Sequence, residues 1–134
     1  MALLATALTA QATNTLRSHG AIIEAPDGMV YDSDMSRKMD MDVFRNRDNT
    51  LIFAIGTQKA IEGVSALSLT AVIARGNGGK VVKVPGRDIY ATFDNRNKRV
   101  YGVCQADGDL PVVLIIGNIS NPSAMHYLAS LRPA

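Results

Sequence analysis

The chain has 134 residues, a length that suits one domain around one hydrophobic core. Apolar residues make up 47% and charged residues 19%, which excludes a disordered chain, and no apolar run reaches transmembrane length. Aromatics are 5% with no Trp, so the core must be built from Val, Ile, Leu, Ala and Met, and a nucleic-acid binder that relies on stacking is disfavoured.

The N-terminal MALLATALTAQA offers Ala10 and Ala12 as an A-x-A site. It has no basic region and is interrupted by Thr6 and Thr9, so it does not read as a signal peptide. Residues 2–17 predict a helix, because Leu4, Leu8, Ala12 and Leu16 recur at i,i+4 and Leu3 and Ala7 widen the stripe. Gly20 is placed to end it, with His19 in its last turn. Such a helix packs either on its own sheet or, as an arm, on a neighbouring subunit.

Residues 21–25 and 29–32 predict a hairpin across Ala25-Pro26-Asp27-Gly28, where Pro26 fixes φ and Gly28 supplies a positive φ. Asp32 to Asp34 supply N-cap oxygens for a short helix to about Arg45, with Met35, Met39 and Val43 on one face as packing or partner-binding residues. Residues 50–57 predict a buried strand. Residues 58–63 form a connection, with room for one helical turn. Residues 65–75 alternate, with Leu67, Leu69, Ala71 and Ile73 on one side, and predict a further strand. Gly76 to Gly79 then turn the chain into a return strand at 80–84.

Pro85-Gly86 is another turn. Residues 87–93 and 99–105 pair across 94–98, and 106–109 lead into LPVVLII at 110–116. Six of those last seven residues are apolar without alternation, and four are β-branched. This predicts a central strand covered on both faces. Ser120 or Asn121 caps a final helix within 121–132, with Pro122 in its first turn and Met125, Leu128 and either Leu131 or Ala129 on its apolar side. The expected fold class is α+β: a mostly antiparallel sheet of about five to seven strands, with N- and C-terminal helices against a β-rich core at 21–117, all in one domain over 1–134.

No catalytic or metal motif survives inspection. Cys104, the one cysteine, excludes an intrachain disulfide and a Cys-based zinc site and fits a reducing compartment. It lies in a strand, where a buried, inert thiol is the usual case. His19 and His126 sit in no nucleophile motif, although a dyad of Cys104 with either is not forbidden by spacing. An EF-hand loop from Asp32 would need Gly and Glu where Arg37 and Val43 stand. Gly79-Lys80 is followed by Val81, which departs from a P-loop. Asn118-Ile119-Ser120 is a glycosylation sequon without a secretory context.

The net charge of +2 conceals an asymmetry. Residues 24–48 hold seven acidic against four basic residues, a balance of −3, and residues 75–99 hold seven basic against two acidic, a balance of +5. One reading is two solvated surfaces. The other is complementary patches that meet between copies, head to tail, through Asp32, Asp34, Asp40 and Asp42 on one side and Lys80, Lys83, Arg87, Arg96, Lys98 and Arg99 on the other.

The expectation is therefore a non-enzymatic structural subunit that works by homo-oligomeric self-assembly. It needs no cofactor and has copies of itself, or other structural proteins, as partners. A phage or other virion component (capsid, decoration or tail protein), or a cytoplasmic protein, fits that description, with no membrane role. Residues 75–99, with Tyr90, Phe93 and Tyr101 nearby, also allow a phosphate-tracking groove for nucleic acid. A regulatory module is the alternative. The order of an N-terminal helix, a Gly-turn hairpin and a strand feeding a C-terminal helix is similar to that of Roadblock- and profilin-like domains, which implies dimerisation and a GTPase or cytoskeletal partner. No residue motif carries that likeness, so it transfers no site residues. An enzyme built on Cys104 with His19 or His126 is a third option.

Overall fold

The structure is a computed structural model and describes residues 13–57, 61–107 and 110–134. It is α+β, with two antiparallel sheets and helices between the strands. The larger sheet has seven strands in the order β3 (Val30–Tyr31), β4 (Asp42–Arg45), β5 (Ile52–Gly56), β9 (Leu110–Gly117), β8 (Arg99–Asp107), β7 (Ile89–Asp94) and β6 (Val82–Lys83). The smaller sheet has three, β1 (Thr13–Ser18), β2 (Ala21–Pro26) and β10 (Arg132–Pro133), in the order β1-β2-β10. The helices are α1 (Ser33–Met39), α2 (Ala66–Asn77) and α3 (Asn121–Leu128).

Strand β9, the apolar run, is the middle strand of the large sheet, paired to β5 on one side and β8 on the other. Its two faces differ. Val112, Leu114 and Ile116 are fully buried, together with Phe53 and Ile55 of β5 and Val100 and Cys104 of β8. Leu16, Ala21, Ile23 and Ala25 of the small sheet and Ala124 and Leu128 of α3 complete this core. On the opposite face α2 packs over β7 and β8, and Val113 and Ile115 of β9 are only half-buried. Full cover on both faces, expected from the sequence, is thus met on one face alone.

Close packing on the sealed face is visible at Gly102. A Cβ there would overlap Leu128 Cδ2, so the helix sits where a side chain would otherwise stand. Ser120 caps α3 through its side chain, which accepts from the Ser123 amide, with Pro122 in the first turn as the sequence suggested. Ala124 and Leu128 are its buried residues, Leu131 just beyond it is buried as well, and Met125 is half-buried.

Four sequence expectations are corrected. Thr13–Ser18 is a strand and not the end of a helix; the remainder of the predicted helix, 2–12, lies outside the described residues. It pairs with β2 along its whole length across His19-Gly20, where both residues have positive φ (51° and 78°). That is the geometry whose twist matches a two-residue hairpin. Leu16 and Ser18 point inward while Thr15 and Arg17 are exposed, the two-residue period of a strand.

The turn at Pro26 to Gly28 forms, but no hairpin follows. Strand β2 stays in the small sheet, and β3 crosses to pair with β4 in the large one. The helix capped by Asp32 stops at Asp40, in the left-handed conformation (φ 54°), well short of Arg45, and Val43 lies in β4. Finally, 65–75 is not a strand. It falls in α2, capped by Ser65 and closed by Gly78, so Gly76 to Gly79 end a helix and do not turn a hairpin. Ala66, Thr70 and Ala74 are buried and Leu69, Ile73 and Asn77 half-buried, a helical stripe, whereas Leu67 and Val72 are exposed.

Candidate functional site

Glu24 of the acidic segment lies in β2 of the small sheet. Asp32, Asp34, Asp40 and Asp42 fold at one end of the seven-stranded sheet, around β3, α1 and β4, where Arg37, Lys38 and Arg45 leave a balance of −1. The basic segment folds at the other, in β6, β7 and the β7–β8 turn. Six interstrand steps separate the outer strands, about 29 Å at the usual spacing. The two sets of charges therefore cannot meet within one copy.

At the acidic edge each predicted aspartate has a separate local task. Asp32 accepts from the Met35 amide (3.0 Å) as the cap of α1 and pairs with Arg45 Nε (3.0 Å). These bonds, the cap first, hold its carboxyl below the usual carboxylate range. Asp34 pairs with Arg37 one turn on, at 2.5 Å, with both side chains about three-quarters exposed. Asp40 closes α1, its backbone N–H donating to the Ser36 carbonyl. Asp42 accepts from Ser18 Oγ (2.5 Å) and lies 3.7 Å from His19 Nε2. The edge also exposes apolar groups: Val30 and Tyr31 are about half exposed, and Met35 and Met39 nearly 40%. Met35 and Met39 are the helix residues that the sequence offers as packing or partner-binding, whereas Val30 and Tyr31 are marked there only as hairpin residues.

At the basic end the pattern reverses. None of Lys80, Lys83, Arg96, Lys98 or Arg99 makes an ion pair among the described residues, and all five are exposed. Arg87 does not belong with them. Its guanidinium donates to the carbonyls of Ala129 and Leu131, each at 2.6 Å, and so clamps the end of α3 to the sheet. The β7–β8 turn is held by Asp94, which accepts from both the backbone and side-chain nitrogens of Asn97 (3.3 and 2.8 Å). These bonds, helped by the charge of Arg99, depress its pKa. Lys98 in the same turn has a positive φ (53°).

A groove of about 980 Å³ opens between this turn and the C-terminal end of α2. Lys80, Arg96 and Arg99 line it, with Asn77, Asn95, Asn97, Asn121 and Tyr101. The sequence reading does not mark these asparagines as site residues: Asn95 and Asn97 lie in the D-N-R-N-K run at 94–98, whereas Asn77 at the end of α2 and Asn121 at the start of α3 are brought in by the fold.

Among the described residues Cys104 makes no hydrogen bond to His19 or His126. Ser18, His19 and Asp42 do come together, but the carboxylate stands between the hydroxyl and the imidazole. The hydroxyl proton is directed at Asp42, so the ring is not placed to take it. His126 is exposed on α3, its ring against Tyr127 (5.2 Å). Cys104 is buried in β8, and desolvation pushes its thiol up to about 11, so at neutral pH it is not a thiolate. Among the described residues no three His, Cys, Asp or Glu side chains are grouped to hold a metal ion, and no helix is long and apolar enough to cross a membrane.

The chain matches no protein-family model, and no curated protein is significantly similar to it.

Proposed function

We propose that the chain is a non-enzymatic structural subunit that assembles head to tail, the acidic edge of one copy against the basic edge of the next. The observation that carries this reading is the placement of opposite charges on opposite edges of one sheet. Both edge strands, β3 and β6, are two residues long and paired on one side only. Short, charged edges resist indiscriminate strand pairing, so the charge pattern selects the neighbour. Val82 at the basic edge and Val30 and Tyr31 at the acidic edge add apolar area to the contact. Contacts between two different surfaces of one chain build rings or filaments. A virion component is the class of protein such a subunit fits, in an assembled particle or in the cytoplasm. The Roadblock- or profilin-like alternative has less support, because the Gly-turn hairpin does not form and Thr13–Ser18 is strand.

The test is native mass by light scattering with negative-stain images, at low and high salt. Wild type forms large rings or filaments that loosen as salt screens the contact. Lys83→Glu alone and Asp34→Lys alone each lower the mass, and the two changes in one chain restore it. A monomer at low salt, or a salt-insensitive dimer untouched by either reversal, overturns the reading.

A further inference from the structure

We propose that the groove beside the β7–β8 turn binds a nucleic-acid strand through its phosphates. Lys80 approaches it from the loop after α2, and Arg96 and Arg99 from the β7–β8 hairpin. None of these three cations makes a close ion pair among the described residues, although Arg99 lies near enough to Asp94 for its charge to be felt there, so a phosphate chain would meet them without breaking a protein ion pair. One acid shares the groove, Asp94. Both its oxygens accept from Asn97, within the turn they close, and the lining keeps a net charge of +2 from three cations and one anion.

The groove is also rich in neutral donors. Asn95 and Asn121 are joined to each other by a side-chain hydrogen bond at 3.1 Å. Asn77 also lines the groove, but its Nδ2 is buried and is not among the donors the groove presents. Amide donors suit phosphate and sugar oxygens and would add hydrogen bonds without adding charge. A second hollow of about 600 Å³ shares Asn95 and Asn121 and brings in Lys98, so the basic surface extends past the turn. A track of this kind fits an extended strand better than a single small anion. Tyr101 is the one tyrosine on the wall. Recognition is thus carried by phosphates and is tolerant of sequence.

The experiment is fluorescence anisotropy of a labelled oligothymidylate against the full chain, from 50 to 200 mM salt, with light scattering on the same samples. Three phosphate contacts on a single strand give a log–log salt slope of about −2, or roughly a 20-fold loss of affinity over that range. Arg96→Ala and Lys80→Ala each reduce the slope by about 0.7. Arg17→Ala, exposed on β1 and outside the groove, leaves it unchanged. Both groove positions are exposed, and circular dichroism checks that the variants are folded. Absence of binding at 50 mM salt overturns the proposal, as does a slope that the two groove variants do not change. So does a fall in native mass in those variants with no oligonucleotide bound: the groove would then be the seat of a neighbour's acidic edge. Loss of assembly in Lys83→Glu with oligonucleotide binding intact would instead leave this proposal standing apart from the assembly reading.

Discussion

At the acidic edge, three of the four predicted aspartates are tied into caps and ion pairs with Arg45, Arg37 and the Ser18–His19 corner, and Asp40 closes α1. At the basic end, Lys80, Lys83, Arg96, Lys98 and Arg99 have no such partner among the described residues. The formal charges alone do not reveal this contrast. Aspartate is short and, next to a helix start, finds backbone N–H groups within reach. Lysine and arginine are long, and here the turn that carries them is closed by Asp94 and Asn97 without their help. One edge uses its charges to hold its shape; the other presents them outward.

The largest expected effect lies between the two edges and should not distinguish them. Leu128 is fully buried against Gly102 in the middle of the sheet. Leu128→Ala removes that contact and leaves a void, for a loss of about 2–5 kcal/mol in urea unfolding. A loss below about 1 kcal/mol would mean that α3 does not seal the core over β8.

Next comes the contrast itself. Asp32→Ala removes the cap of α1 and the partner of Arg45, and thermal unfolding should move down by roughly 3–6 °C. Arg96→Ala or Lys80→Ala, at exposed positions without ion pairs, should stay within about 0.5 kcal/mol of wild type. Equal shifts at the two edges would dissolve the comparison.

That difference was only partly legible beforehand. The apolar run at 110–116, the Asp32 and Ser120 caps, the Pro85-Gly86 turn and the 87–105 hairpin are local signals, and each forms. The α2 stretch was misread because Ala-Leu-Ser-Leu-Thr-Ala-Val-Ile alternates as well as it spirals, and Leu67 and Val72 (48% and 58% exposed) sit on the outer side where polar residues would have revealed the helix. Ser65 and Gly78, twelve helical residues apart, were the better clue. The turn at Pro26 was right, but a turn does not say which sheet receives the next strand. That is decided by β1 and β10, one local and one over a hundred residues away, both of which bond to β2. The charge segregation was visible in sequence; its separation across the sheet depended on strand order.

Acid should loosen a carboxylate at each edge, Asp32 at one and Asp94 at the other. Asp32 has a folded pKa below its ordinary value of 3.8, through the Met35 amide first and Arg45 next. Its contribution is therefore complete above that value and is lost as pH falls through the lower, folded one. Glu24, held down by Arg132 and Thr15, and Asp94, held down by Asn97, act in the same direction. Stability should stay level from neutral pH to about 5 and then decline. Asp32→Asn should flatten the decline, and Arg96→Ala should not. An acid limb that Asp32→Asn leaves unchanged would show that the acidic edge is not held by this carboxylate.

The smallest effect on stability sits at Asp34. Its pair with Arg37 is at 2.5 Å, but both side chains are about three-quarters exposed, and such a pair in solvent contributes about 0–0.5 kcal/mol. Asp34→Ala should therefore leave the unfolding curve where it is. Under head-to-tail assembly it should still lower native mass at low salt, because a charge has left the surface that meets the neighbour's Lys83 on β6. A variant neutral to folding and damaging to assembly separates the two uses of charge that Asp32 combines. If Asp34→Ala changes neither, the contact between copies does not run through the exposed end of α1, and Tyr31 and Val30 on β3 become the residues to change.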